Sequence, residues 1–242
     1  MPFTFSHPAI ILPLIKHKKW FSETALFIGA IIPDFDYFIK LKASTNFAHT
    51  IKGVFLFDLP ISFIVLFIWN RFIKQELIKH LPFQFKEQYL KISYNKAQPK
   101  LYFIYTVSLF IGICSHLIWD AFTHYDGYTV LHFHKLSNSI SFLNYSIKIY
   151  SLLQVLSSII GLIVIVNYLK NRYVASLKLN ITNLKLKFWV YVFLLQITIL
   201  CCRFLIITNS NSNEDIIMAF LGALIYGFVF ICFLYHKKII RE

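Results

Sequence analysis

The sequence predicts an all-α fold: a polytopic integral membrane bundle of five long transmembrane helices preceded by an N-terminal helical hairpin. Three observations predict it. The 242 residues are 57% hydrophobic and only 14% charged, where a soluble domain is nearer half apolar and a quarter charged. Five apolar runs approach the ~20 residues a helix needs to cross a bilayer. The basic residues fall in clusters between those runs and alternate from loop to loop. The net charge of +13 therefore does not read as a nucleic-acid surface, because the lysines are dispersed as in membrane proteins. We expect a lipid bilayer as partner and no nucleic acid.

Residues 1–52 form the hairpin and an outer segment. Residues 8–15 and 21–32 are apolar but short, and Lys16, His17, Lys18 and Lys19 separate them. A cleaved signal would place its positive residues first and a small-residue site after the apolar run, so the segment is expected to be retained. Two short helices joined at the lysines bring residues near 7 and near 34 to the same end. The hairpin counts as a sixth span if it crosses.

The long spans are expected at 53–69, 101–119, 149–169, 188–207 and 216–235. Their length and continuity exclude a barrel, whose strands alternate over about 10 residues. Aromatic residues such as Trp69, Trp119, Trp189 and Tyr235 fall near their ends. The linker 70–100 carries Arg71, Lys74, Lys79, Lys86, Lys91, Lys96 and Lys100, and reads as a partly amphipathic basic loop. The linker 170–187 carries Lys170, Arg172, Lys178, Lys185 and Lys187, and the tail Lys237, Lys238 and Arg241. Segments 120–148 and 208–215 are poor in base. The positive-inside rule puts the basic loops and the C-terminus in the cytoplasm, as expected of a bacterial inner (cytoplasmic) membrane protein. One membrane domain is expected over 1–242, with 53–169 as its core and 170–242 as two C-terminal helices and a basic tail. Cys114, Cys201, Cys202 and Cys232 lie in apolar runs, without the spacing of a disulfide framework.

In so apolar a chain the acids are informative. Glu76, Glu87, Glu214, Asp215 and Glu242 sit in polar stretches and read as solvated. Glu23 follows Ser22 as a first-turn acid behind a helix cap. Asp34, Asp36, Asp58, Asp120 and Asp126 lie within or at the ends of apolar segments. A carboxylate there costs several kcal/mol unless paired or bound to metal. Four of them accompany histidines. Asp34 and Asp36 end the second short helix, and His49 precedes the first long span. His116 and Asp120 stand at i and i+4 on one helix face, followed by His124 and Asp126. The topology places all of these, with His7, at one membrane face.

Mixed imidazole and carboxylate suits Zn most, then Mn or Fe(II), and disfavours Ca, Mg and Cu(I). His7, Asp34, His49, His116 and Asp120 are the candidate ligands, and Asp36, His124 and Asp126 candidate bases or orienting groups. Asp58 is nine residues from His49, on the opposite face of a continuous helix, and reads as a partner for another helix. Arg203 reads either as an arginine reaching the interface or as a clamp for an anionic substrate group. His17, His80 and His236 lie among lysines and read as basic interface residues.

Four elements carry a resemblance: the stretch 1–7 ending Thr4-Phe5-Ser6-His7; Pro33-Asp34-Phe35-Asp36-Tyr37-Phe38; His49-Thr50 followed by Leu56-Phe57-Asp58-Leu59-Pro60; and the stretch 116–127. Together they resemble a bacterial membrane-protein family, domain-of-unknown-function family 4184. That family is similar in turn to the YdjM-type membrane-bound metal-dependent hydrolases. The resemblance implies metal ligation by His7, Asp34, Asp36, His49, His116 and Asp120. Ala48-His49-Thr50 departs from the Thr-His-Ser of the hydrolases but keeps the histidine, and Tyr37 stands where they often carry another histidine. The expected function is a metal-dependent hydrolase at the membrane face, acting on a phosphoester or lipid-like substrate. The alternatives are a small transporter lined by Asp58, Gln154, Gln196 and Arg203, and a metal-stabilised scaffold without turnover.

Overall fold

The computed structural model describes residues 4–43, 47–86, 99–142, 145–206 and 212–240. Glu87, Lys91, Lys96, Arg241 and Glu242, counted above in the charge pattern, and Met1 to Phe3 of the first motif lie outside the described residues. Two 3-10 helices, Thr4–Ala9 and Leu12–Lys16, open the chain, followed by α1 (Glu23–Ile31), the 3-10 turn Ile32–Asp34 and α2 (Phe35–Lys40). Then come α3 (Ile51–His80), β1 (Gln84–Phe85), α4 (Pro99–Thr123), α5 (Tyr128–His132) and α6 (His134–Ser137). The hairpin β2 (Ser139–Phe142) and β3 (Tyr145–Lys148) precedes α7 (Ile149–Tyr173), β4 (Val174–Ser176), α8 (Asn183–Ile206) and α9 (Asn213–His236). The stretch Pro99–His132 and helices α3, α7, α8 and α9 are long and apolar enough to cross a membrane. The protein is an all-α integral membrane bundle, and the two short antiparallel ribbons among its described residues leave that class unchanged.

The first arm of the expected hairpin is 3-10 rather than α-helical. Pro8 and Pro13 remove backbone donors and hold this stretch to short turns. The second arm forms as expected: Ser22 caps α1 by accepting from the Ala25 N–H, and Tyr168 donates to Glu23 at 2.8 Å.

The described residues form two compact units. The first combines residues 1–33, 48–63 and 96–170. Its centre is the crossing of α1 and α4. Ala25 and Gly29 on one helix, and Ser108 and Gly112 on the other, are spaced i, i+4, so each helix presents a small-residue stripe. Ala25 and Ser108 are completely buried. A β-carbon on Gly112 would lie 2.5 Å from the Leu26 carbonyl oxygen, and one on Gly29 would collide with the Leu109 carbonyl. The Ser22 N–H donates to Ser108 Oγ at 2.9 Å across the same crossing. Ile11 and Ile15 of the proline-rich arm pack with Leu26 and Ala30.

Helix α3 is continuous through Pro60. The missing N–H is absorbed by a π turn at Val54–Asp58, in which the Leu59 N–H reaches back to the Val54 carbonyl. Asp58 is fully buried in that turn.

The second unit combines residues 34–47, 64–95 and 171–242. Helix α8 packs on α9 around Phe188, Val192, Ile231, Cys232 and Tyr235. Here the expectation of a solvated loop from residue 70 is corrected. Helix α3 runs on to His80 after a second π turn at Trp69–Ile73. Ile73, Leu77 and His80 then share one face at i, i+4, i+7. Glu76 and His80 are 3% and 0% exposed, and the His80 ring stacks on Phe188 at 4.2 Å. Lys79 pairs with Glu76 at 3.1 Å, and Trp189 Nε1 donates to the His80 carbonyl.

Asp215 is likewise buried rather than solvated. It accepts from the Ala43 N–H at 2.8 Å. Tyr226 donates to the Ile39 carbonyl and Arg203 Nε to the Leu41 carbonyl, so α8 and α9 pin the turn after α2, where Leu41 adopts φ 52°. Asp215→Ala leaves the Ala43 N–H without its acceptor and is expected to cost about 1–3 kcal/mol. A lowered Tm in detergent, restored by Asp215→Asn, is the expected reading; an unchanged Tm for the alanine variant would refute it.

Candidate metal centre

The close crossing in the first unit sets the site. One residue beyond Gly29, the Ala30 carbonyl meets His116, one helical turn beyond Gly112. His116 Nδ1 donates to it at 2.8 Å. A carbonyl only accepts, so the proton sits on Nδ1 and the Nε2 lone pair is directed into the site. Orientation by a backbone carbonyl is the usual second tie of a metal-binding histidine.

Asp120 is the hub. Its Oδ2 lies 3.2 Å from His116 Nε2 and 3.3 Å from His49 Nε2. Its Oδ1 lies 3.4 Å from His124 Nδ1 and 3.6 Å from His7 Nε2. His7 reaches this point from the first 3-10 helix, and its ring stacks on His116 with centroids 3.9 Å apart. His49 stands in the turn before α3, where Thr50 caps the helix by accepting from the Gly53 N–H at 3.0 Å. His124 follows α4, its N–H still donating to the Asp120 carbonyl. Asp34 closes the 3-10 turn directly after Pro33. Within the first unit, ligand atoms of His49, His116 and Asp120 all lie within 4.8 Å of one another.

This donor set fits a divalent ion. Donors held ~2.1 Å from zinc at tetrahedral angles stand ~3.4 Å apart, which is the spacing found around Asp120. His7 is completely buried, yet among the described residues neither ring nitrogen has a hydrogen-bond partner. A buried imidazole in that condition is costly, and a cation removes the cost. Burial, then the neighbouring His116, hold the His7 pKa well below the ordinary histidine value, so its ring is neutral and offers a lone pair.

The remaining expected site residues are arranged differently. Asp36 pairs with Lys40 at 2.8 Å. Asp126 is exposed. Arg203 is buried in the second unit, where Leu41 accepts from its Nε and its guanidinium lies 4.6 Å from the Phe204 ring centroid. Gln196 donates to the Phe220 carbonyl. Sequence reasoning passed over the Ala30 carbonyl and Trp119, whose ring edges His7 at 5.5 Å. The small-residue stripes of α1 and α4 were the available signal for the first.

A family model described as a domain of unknown function, DUF4184, matches residues 1–235. The chain belongs to this family. No curated protein matches the chain, and no solved structure does. In this DUF4184 chain the four motif regions of the sequence supply His7, Asp34, His49, His116, Asp120 and His124.

Proposed function

We propose that this DUF4184 protein is a membrane-embedded, metal-dependent hydrolase, as the YdjM-type likeness of its motifs implies. His49, His116 and Asp120 hold the ion, Asp34 is the further ligand that its Pro-Asp-x-Asp motif implies, and His7 and His124 stand on the second oxygen of Asp120. One observation carries the reading: an ion with a purely structural role is closed by four ligands, and this cluster assembles more donors than that. Zinc suits the set best, with manganese or iron as alternatives. The chemistry a divalent ion supplies in such surroundings is Lewis acidity and the acidification of water.

The protein's own side chains do the rest. His116, tied to Ala30, keeps its lone pair aimed. His7 and Trp119 close the buried side against water. The His124 side chain is 20% exposed and its Nδ1 is turned to Asp120 Oδ1 at 3.4 Å, so Nε2 is the ring nitrogen left to take a proton from an approaching water and pass it to a leaving group. The site stands, by the loop charges, at the membrane face opposite the cytoplasm.

The test is metal content by plasma mass spectrometry, beside turnover of a bis-aryl phosphodiester. His124→Gln is expected to keep its metal and lose roughly 10²–10⁴-fold in kcat. A metal-free wild-type protein, or full turnover in His124→Gln, would sink this reading.

A further inference from the structure

Beside the His/Asp cluster, wholly within the first unit, lies a groove of about 290 Å³ whose lining includes Ala9, Ile10, Trp119, Ile160, Gly161 and Val164. It begins where the cluster ends. Ala9 and Ile10 follow His7 closely in the chain, Trp119 precedes Asp120, and the Trp119 ring touches the His7 ring edge-on. The walls are apolar. The indole's one polar atom is already spent, since Trp119 Nε1 donates to Ser157 Oγ at 3.2 Å. Gly161 lets the first 3-10 helix lie against α7, where a β-carbon would come within 2.9 Å of the Ser6 carbonyl oxygen. Trp119, Ile160 and Val164 belong to stretches long and apolar enough to cross a membrane. An apolar groove on such stretches takes hydrocarbon, because polar groups find no hydrogen-bond partners on its walls.

From this continuity we infer that the substrate is a single amphiphile, with an anionic ester head at the His/Asp cluster and an alkyl chain laid along Trp119, Ile160 and Val164. The inference rests on the hydrolase reading and names its substrate class. A freely soluble phosphoester would use the cluster and leave the groove to bulk lipid.

The test does not depend on turnover. Detergent-purified protein is mixed with a single-chain alkyl phosphate carrying a diazirine at mid-chain, irradiated, and its adducts mapped by peptide mass spectrometry. Ile159 and Ile163, 53% and 55% exposed on the same helix, are internal controls for groove residues Ile160 and Val164 at 61% and 40%. Adducts on Trp119, Ile160 and Val164 are expected to exceed those on the controls by about fivefold. Val164→Trp and, independently, Ile160→Trp are each expected to remove the excess while metal content stays at the wild-type level. Asp120→Asn is expected to remove it too, by releasing the head group. Equal labelling of groove and control positions, or an excess that survives both tryptophan variants, overturns the groove. An excess indifferent to Asp120→Asn overturns its coupling to the cluster. Absence of metal from the wild-type protein counts against the hydrolase reading itself and is scored separately in the same samples.

Discussion

Asp120→Asn is expected to strip the protein of bound metal and to lower metal affinity by at least about 10²-fold. Asparagine keeps the shape of the side chain, so α4 is undisturbed, but it removes the charge on which four imidazoles converge at 3.2–3.6 Å. The Asp120 Oδ2 faces His116 and His49 and its Oδ1 faces His124 and His7, so one carboxylate bridges the two pairs. The same variant separates metal loss from unfolding. A ligand that binds only the folded state raises Tm by mass action, so chelation should lower Tm in the wild-type protein and leave Asp120→Asn unchanged. Wild-type metal stoichiometry in Asp120→Asn would remove the hub from this account.

The second large effect lies away from the donors. Gly112→Leu is expected to cost about 3 kcal/mol or more, the upper range for overpacking a tight contact, and to abolish metal binding with it. The atoms facing an added β-carbon are Leu26 O at 2.5 Å, Ala30 N at 2.7 Å and Gly29 C at 2.9 Å, all of them backbone. A flexible side chain would swing away; a helix backbone moves only as a body. Moving α1 carries the Ala30 carbonyl off His116 Nδ1, so the ring loses the contact that aims it. Ser108→Ala is the control on the same stripe. It forfeits the bond to the Ser22 N–H and should cost only about 1 kcal/mol. Retention of the wild-type Tm and metal content by Gly112→Leu would show that the crossing does not hold the site.

The spans were legible because a bilayer imposes a length and an apolar composition that local sequence reports directly. The observed helices extend the expected ones by a few residues, with one large exception. Past Trp69 the lysines of α3 read as a loop, yet the helix continues to His80. The pattern Ile73, Leu77, His80 is helical, but Arg71, Lys74 and Lys79 on the opposite side mask it in any running average. Glu76 and Asp215 were misread for a related reason. Each stands among polar neighbours along the chain and is buried by contacts distant in sequence, so local polarity says nothing about its solvation.

The candidate centre divides in the same way. His116 with Asp120 could be read locally, because i, i+4 spacing on a helix is a property of the chain alone. The cost of unpaired acids in apolar segments selected Asp34, Asp36, Asp58, Asp120 and Asp126 together, and by that criterion they are equivalent. Packing separated them: Asp120 became the hub and Asp36 paired with Lys40, while Asp58 lies in the π turn before Pro60. By itself, then, the sequence determined the membrane class, the span positions and the residue types of a candidate metal centre. Only the tertiary structure decided which donors meet, how His116 is aimed and where the apolar groove runs. These depend on two helices approaching to backbone contact at Gly29 and Gly112, a distance that no spacing along the chain encodes.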